Sequence, residues 1–252
     1  MISICIPTYN QFDGLHNDSY NNLTMLNELL SSISIQTYKD FEVIISDHSK
    51  DECVKNECKK FEDKMNIKYF KFPEKYGSME ANFNNAVSKS EGEFIKPMFQ
   101  DDYFYTENGL ELFHKKLTEG FNWAVSGCIH IKENEKRYFG EKTPYVSPNM
   151  LTGDNQIGSP IVCIFKGKEY FDENLVWLTD VELYHRLVNK HGEPGIISEK
   201  LMVSRLRNSG LLNTYTDAGL KENEKRYCKN KSNNNECKLE SYPHILNRIN
   251  KL

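Results

Sequence analysis

Apolar and polar positions along the first hundred residues switch between two periods. Residues 2–6 form a short apolar run closed by Pro7, the pattern of a strand buried on both faces of a sheet. Leu23, Leu26, Leu29, Leu30 and Ile33 then recur at helical spacing behind Ser19, a residue type suited to an N-cap. Residues 41–45 read as a second strand, and 51–64 as a charged helix with Val54, Cys58 and Phe61 on one face. A third strand at 67–72, a helix at 78–89 and a fourth strand at 94–99 follow. Strands alternating with helices predict right-handed crossovers and a mostly parallel, doubly wound sheet.

The pattern loosens after residue 100. A helix is predicted over 106–117, a strand over 123–131, a polar hairpin turn over 132–138 and a loop over 143–159. A strand at 161–165, a helix at 180–190 closed by Gly192 and Pro194, and a short strand at 202–206 complete the series. Beyond Gly219 the residues turn to Lys, Asn and Glu, with a short amphipathic helix expected at 245–249. The heptamer Lys-Glu-Asn-Glu-Lys-Arg-Tyr occurs at 132–138 and again at 221–227; its flanks differ, so it reads as coincidence rather than a structural repeat.

Composition narrows the function classes. The 252 residues carry 32 basic and 36 acidic side chains, a net charge of −4, which argues against a nucleic-acid partner. Fourteen Phe, 14 Tyr and 2 Trp supply enough large apolar surface for a folded core despite a hydrophobic fraction of 38%. No apolar run is long enough to span a membrane, and the N-terminus lacks the basic start and cleavage site of a signal peptide. Seven cysteines, an odd number without a C-x-x-C pair, predict a reduced protein in the cytoplasm. On that reading the three glycosylation sequons (Asn17, Asn22, Asn230) carry no meaning. The seven histidines show no zinc spacing. Neither a G-x-G-x-x-G nor a Walker lysine loop follows any strand, which argues against dinucleotide dehydrogenases and P-loop enzymes.

Three polar clusters fall at the ends of successive strands: Pro7-Thr8-Tyr9-Asn10, Ser46-Asp47-His48-Ser49 and Gln100-Asp101-Asp102. Each alone also reads as a turn or a capping loop. Ligands of open parallel sheets collect at the carboxyl ends of the strands, and here the clusters converge on that one edge. If the chain turns at 101–102, one carboxylate can face a divalent cation while its neighbour reaches a sugar hydroxyl. Asp180 falls at the start of a helix striped by Val181, Tyr184, Leu187 and Val188, where the dipole favours a carboxylate whether it caps or catalyses. Glu182 and Arg186, four apart, suit a structural ion pair.

In this order the motifs resemble family 2 of the GT-A glycosyltransferases. The resemblance rests on Ile4-Cys5-Ile6-Pro7-Thr8-Tyr9-Asn10, Gln36-Thr37-Tyr38 before Phe41-Glu42-Val43-Ile44-Ile45-Ser46-Asp47, and Glu91-Gly92-Glu93-Phe94-Ile95 before Gln100-Asp101-Asp102. Phe171-Asp172-Glu173 before Thr179-Asp180-Val181-Glu182 completes the set, which spans about residues 2–210. It implies one GT-A (Rossmann-like) α/β domain over 1–215, with a nucleotide-binding half to about 102, an acceptor half to about 215, and a Lys/Asn-rich helical tail at 216–252. It implies inverting sugar transfer from a nucleotide diphosphate sugar, a UDP-sugar first, to a glycan, polysaccharide or lipid-linked hydroxyl. The last of these leaves room for peripheral contact with a membrane. Pro7, Thr8, Tyr9 and Asp47 match positions that hold the nucleoside, Asp101 faces the ribose, Asp102 carries Mn²⁺ or Mg²⁺, and Asp180 is the general base. Asn82 and Asn84 match a polar stretch lining the donor site, and Gly158-Ser159-Pro160 borders the acceptor pocket.

The chain departs from the family pattern at three places. Gln100 stands where the acidic motif usually begins, residues 11–20 form an insertion, and Arg207 occupies the stretch where relatives place a diphosphate-binding His. Two rivals stay open: a sugar nucleotidyltransferase, against which the lack of Lys or Arg in 7–14 counts, and a non-catalytic sugar- or nucleotide-binding protein.

Overall fold

The computed structural model describes residues 1–10, 22–132, 135–206 and 218–233. The loop at 11–20, Ser19, Arg207 and the expected helix at 245–249 lie outside these residues.

Strand β1 (Ile2–Thr8) is followed by helix α1 (Asn22–Ser34), β2 (Phe41–Asp47), α2 (Cys53–Lys59), β3 (Ile67–Lys71), α3 (Met79–Lys89) and β4 (Phe94–Pro97). These four strands are parallel in the order β3-β2-β1-β4, so β1 is flanked by β2 on one side and β4 on the other. The order reverses there, which makes the edge of β1 the switch point of the sheet. Every residue of β1 and β2 is buried, the mostly apolar positions together with Ser3, Thr8, Glu42, Ser46 and Asp47. β1 passes through Pro7 instead of ending at it. Its ladder to β2 runs on to Thr8↔Asp47, whereas its ladder to β4 stops at Cys5↔Pro97. Proline has no N–H to donate, and Pro7 falls where β1 has already parted from β4. The parting opens a crevice at the carboxyl ends of the strands.

α2 is shorter than its apolar face suggests. After Lys60 the chain tightens into turns closed by Phe61 N→Cys58 O and Lys64 N→Phe61 O, which keep Phe61 and Met65 buried while the charged residues between them face solvent. α3 starts at an N-cap, Ser78, whose Oγ accepts from the N–H of Ala81 at 3.2 Å.

The second half of the sheet is mixed. It contains β5 (Tyr103–Phe104), α4 (Gly109–Thr118), the hairpin of β6 (Trp123–Lys132) and β7 (Glu135–Lys142), then β8 (Cys163–Lys166), α5 (Thr179–His191) and β9 (Gly195–Leu206). β8 is antiparallel to both β4 and β6, β6 is parallel to β9, and β5 closes the edge antiparallel to β9. Parallel pairing thus covers β3-β2-β1-β4 and the β6–β9 pair, and β5, β7 and β8 run antiparallel to their neighbours. β8 follows the 143–159 loop, not a covering helix, so nothing forces it to run parallel. β9 begins seven residues before the expected strand, because register shifts near Gly127 absorb the polar Ser198-Glu199-Lys200 that broke its apolar pattern.

Helix α6 (Ala218–Ser232) is the part of the expected helical tail that lies within the described residues. It docks on the chain ahead of α5, with Glu224, Tyr227 and Cys228 buried. The repeated heptamer enters a strand at its first copy and a helix at its second, as coincidence predicts.

Candidate active site

The crevice beside β1 gathers the three polar clusters. Tyr9 is fixed by the side chain of Gln100: the Tyr9 N–H donates to Gln100 Oε1 at 2.7 Å, and Gln100 Nε2 donates to the Tyr9 carbonyl at 3.0 Å. The ionised carboxylate of an Asp or Glu in its place could accept but not donate. Gln100 thus ties the end of β1 to the loop after β4 across the gap where their ladder has ended. The Tyr9 hydroxyl meets that of Tyr76 at 2.6 Å, with the rings edge to face at 5.5 Å, and Lys50 lies 5.2 Å above the Tyr76 ring. His48 stacks on Phe72 beside them. Tyr76 sits in a turn with Lys75 and Gly77 at positive φ, and no sequence signal marked it.

Thr8 Oγ1 donates to the Ser46 carbonyl at 3.1 Å and approaches Asp47 Oδ1 at 3.4 Å. Asp47 itself is fully buried. One oxygen accepts from Ser49 N and Oγ, the other from the Tyr69 hydroxyl at 2.6 Å with Lys71 at 3.5 Å. Asp47, matched to the nucleoside base, has both oxygens engaged by the protein's own donors and shapes the turn that carries His48. Asn84, matched to the donor-site lining, holds the 171–173 loop. Its amide exchanges hydrogen bonds with the backbone of Phe171 and donates to Glu173, pinning that loop. Asn82 does face the end of β1, donating to the Thr8 carbonyl at 3.0 Å. Its Oδ1 and the His48 Nε2 are buried without a hydrogen-bond partner, which leaves unmet polar capacity in the crevice.

Asp101 is partly exposed and Asp102 buried, on the loop after β4. Asp102 Oδ1 accepts from the Arg205 N–H of β9 at 2.8 Å, which joins the two halves of the sheet. Burial, and then the charge of Asp101, push the Asp102 carboxyl well above the usual carboxylate range, while Arg205 and Lys96 pull it back. A buried carboxylate held beside a like charge suits a cation. Among the described residues no three acidic, His or Cys side chains gather as a metal cage. A cation here would take one or two carboxylates from the protein and the rest from phosphate and water, the habit of Mg²⁺. Beneath the loop lies Lys96, fully buried, its ammonium donating to the carbonyls of Pro97 and Ile161 and resting on the rings of Phe104 and Phe113. Burial lowers its pKa to about 7.

Asp180 occupies the first turn of α5. Asn155 Nδ2 donates to Asp180 Oδ2 at 2.5 Å, and the Val181 N–H to Oδ1 at 2.7 Å. Asn155 Oδ1 accepts from the N–H groups of Ile157 and Gly158, an Asx-type turn that holds the 143–159 loop against the helix. Burial raises the Asp180 carboxyl to about 7, opposed by these N–H groups and by Lys142. Lys142, on β7, donates to the Asn155 carbonyl at 2.6 Å. Burial raises the Cys128 thiol to about 11, with the charge of Lys142 opposing the rise and that of Asp102 adding to it. The Gly158 carbonyl accepts from the Tyr184 hydroxyl and the Asn155 amide. Arg207 lies outside the described residues. Sequence reasoning missed Tyr76, Lys142 and Asn155; only the Asn-x-x-Gly at 155–158 hinted at the last.

The sequence profile of Glycosyl transferase family 2 matches residues 3–171, more than half of the chain. The chain belongs to glycosyl transferase family 2. A curated relative of this family 2 chain is the GalNAc(5)-diNAcBac-PP-undecaprenol beta-1,3-glucosyltransferase of Campylobacter jejuni, 26% identical over 133 residues, covering 52% of this chain and 39% of that protein. An uncharacterized glycosyltransferase of Rickettsia felis is 31% identical over 228 residues, covering 86% of this chain and 34% of that protein. The chain thus spans between a third and two-fifths of the length of these relatives. Among solved structures, S. aureus TarS 1-349 in complex with UDP-GlcNAc superposes with a TM-score of 0.69 at 17% identity, covering 98% of this chain and 72% of that one. The mannosyltransferase PcManGT of Pyrobaculum calidifontis, in complex with GDP-Man and Mn²⁺, superposes at 0.62 and 15% identity, covering 98% and 68%. The fold of this family 2 member is that of GT-A glycosyltransferases.

Proposed function

We propose that the chain catalyses inverting transfer of a sugar from a UDP-sugar to a hydroxyl acceptor. The observation that carries this reading is Asp180: a carboxyl raised to about 7 in the first turn of α5, held there by Asn155. A base with a pKa near neutrality is strong enough to take the acceptor proton and is still about half ionised near neutral pH. The proton leaves the acceptor hydroxyl for Asp180 as that oxygen bonds the anomeric carbon and the bond to the diphosphate breaks. Single displacement inverts the centre.

Thr8, Tyr9, Tyr76 and His48 form the nucleoside end, with Asp47 and Gln100 fixing their backbone. The orphaned Asn82 Oδ1 and His48 Nε2 are polar groups a nucleotide would satisfy. Asp101 is assigned to the ribose and Asp102 to Mn²⁺ or Mg²⁺. Such a cation supplies charge stabilisation to the departing diphosphate. The UDP-GlcNAc complex of TarS supports a UDP donor, and the Mn²⁺ complex of PcManGT supports the cation. The Campylobacter relative, named for a polyprenyl-linked glycan, supports a lipid-linked acceptor. No helix among the described residues is long and apolar enough to cross a membrane, so such an acceptor would be met at the membrane surface.

A thermal-shift screen of nucleotides and nucleotide sugars, with and without Mn²⁺, tests this. UDP and one UDP-sugar should stabilise the protein only with metal, and Asp102→Asn should abolish the metal dependence. Stabilisation by UDP that ignores metal in both proteins contradicts the cation assignment. Pyrophosphate release from UTP and a sugar phosphate contradicts sugar transfer itself.

A further inference from the structure

α5 begins without a cap of its own. Its N-cap residue is Leu178, which has no side-chain oxygen, and the N–H groups of Val176, Trp177 and Leu178 need an acceptor from elsewhere. Glu224 of α6 supplies it, fully buried: Oε1 takes Val176 N at 3.0 Å, and Oε2 takes Trp177 N and Leu178 N, each at 2.9 Å. A carboxylate at a helix N-terminus is favoured by the dipole, and here it arrives from a different helix. Asp180 stands two residues beyond.

The same helix controls the opposite wall. Lys221 and Lys225 lie over the Trp177 indole at 5.3 and 5.7 Å, and the far edge of that indole rests on Gly153 so closely that a Cβ there would sit 2.6 Å from Cη2. Gly153 leads into Asp154 and Asn155, and Asn155 is the residue that grips Asp180. α6 is held in turn by Lys231, which bridges Asp172 at 2.7 Å and Glu182 at 2.8 Å, and by the Tyr227 hydroxyl on Asp172 at 3.0 Å. A closed circuit results: Glu224 to the entry of α5, α5 to Asp180, Asp180 to Asn155, and Asn155 through Gly153 and Trp177 back to α6.

We propose that α6 belongs to the catalytic apparatus and that Glu224 is its positioning residue, fixing the first turn of α5 and so the aim of Asp180. This rests on the assignment of Asp180 as general base. The nucleotide half of the cleft, built on β1 to β4, touches neither Glu224 nor Trp177 in this circuit. Loss of Glu224 should therefore damage turnover and spare nucleotide binding.

The test follows Glu224→Ala and Glu224→Gln against the parent and Asp180→Asn. Three quantities are measured: UDP affinity, turnover per UDP-binding site with the donor selected above, and the Asp180 carboxyl titration by ¹³C NMR, assigned through Asp180→Asn. The groups facing Asp180, namely Lys142 from β7, Cys163 from β8, Tyr184 from α5 and, through Lys142, Asp154, are the same in every protein. Glu224→Ala should leave UDP affinity within about twofold, lower kcat by roughly 100-fold as misplacement of about 1 Å does, and raise the Asp180 midpoint by roughly one unit as the Asn155 bond loosens. Glu224→Gln, with one good acceptor oxygen for three N–H groups, should fall between, and it carries the test alone if Glu224→Ala yields no UDP-binding protein. A purely structural Glu224 lowers the yield of folded protein but leaves kcat per site and the Asp180 midpoint unchanged, and that result overturns the proposal. If instead Asp180→Asn turns over normally, the base assignment fails, and the NMR midpoint still reports separately whether Glu224 holds Asp180.

Discussion

Asp180 ties the chemistry of the site to its pH behaviour. Its carboxyl, raised by burial to about 7, acts only when ionised, so kcat should climb with pH through about 7 and level off above it. Lys142 faces Asp180 and favours its charged form. Lys142→Met should therefore displace the ascending limb toward higher pH, costing up to ~10-fold in rate on the acid side for each unit of displacement. A limb that stays in place would mean Lys142 does not act on the base. The same shift has a cost in stability. The folded state holds this proton more tightly than the unfolded chain, so the contribution of Asp180 is fully present below about 4 and is lost as pH rises through about 7. Asp101, Asp102 and Asp180 stood out in the sequence through their place at strand and helix ends and through the family resemblance, since each alone also reads as a capping residue. Asn155 and Glu224 were not: each is an ordinary polar residue until folding brings it to a partner 25 or more than 40 positions away.

At the scale of elements, the first half of the sheet follows from sequence because each strand is buried on both faces and each crossover helix is amphipathic. β5, two residues long, and the early part of β9 leave no periodic trace, since pairing to neighbours rather than their own pattern makes them strands. Gly92, ahead of β4, is a close-packed junction that the sequence only hinted at. Its N–H donates to Ser3 Oγ at 2.8 Å, Ser3 in turn donates to the buried Glu42, and Lys68 pairs with Glu42 at 2.9 Å. A Cβ on Gly92 would lie 2.5 Å from Ser3 Oγ and 2.8 Å from Ser3 N. Gly92→Ala should cost about 1–3 kcal/mol through backbone displacement, read as a lower urea midpoint with an unchanged slope. An unshifted midpoint would show that the β1–β4 junction yields without penalty.

Across the whole molecule, the two halves of the fold divide the work. The parallel half parts β1 from β4 and gathers there the polar groups proposed to hold the nucleotide. The mixed half brings β9 to Asp102 through the Arg205 N–H and brings α5, with α6 behind it, to the acceptor side. The Lys/Asn-rich composition of the tail does not reveal that Glu224, Tyr227 and Cys228 share the face that docks. The central claim is that Asp180 is the base for a sugar delivered by the nucleotide half. Turnover and UDP affinity of Asp180→Asn, compared with the parent in saturating metal and the selected UDP-sugar, test it most directly. Turnover should fall by ~10²–10⁴ with UDP affinity unchanged; parent-like turnover would contradict the account.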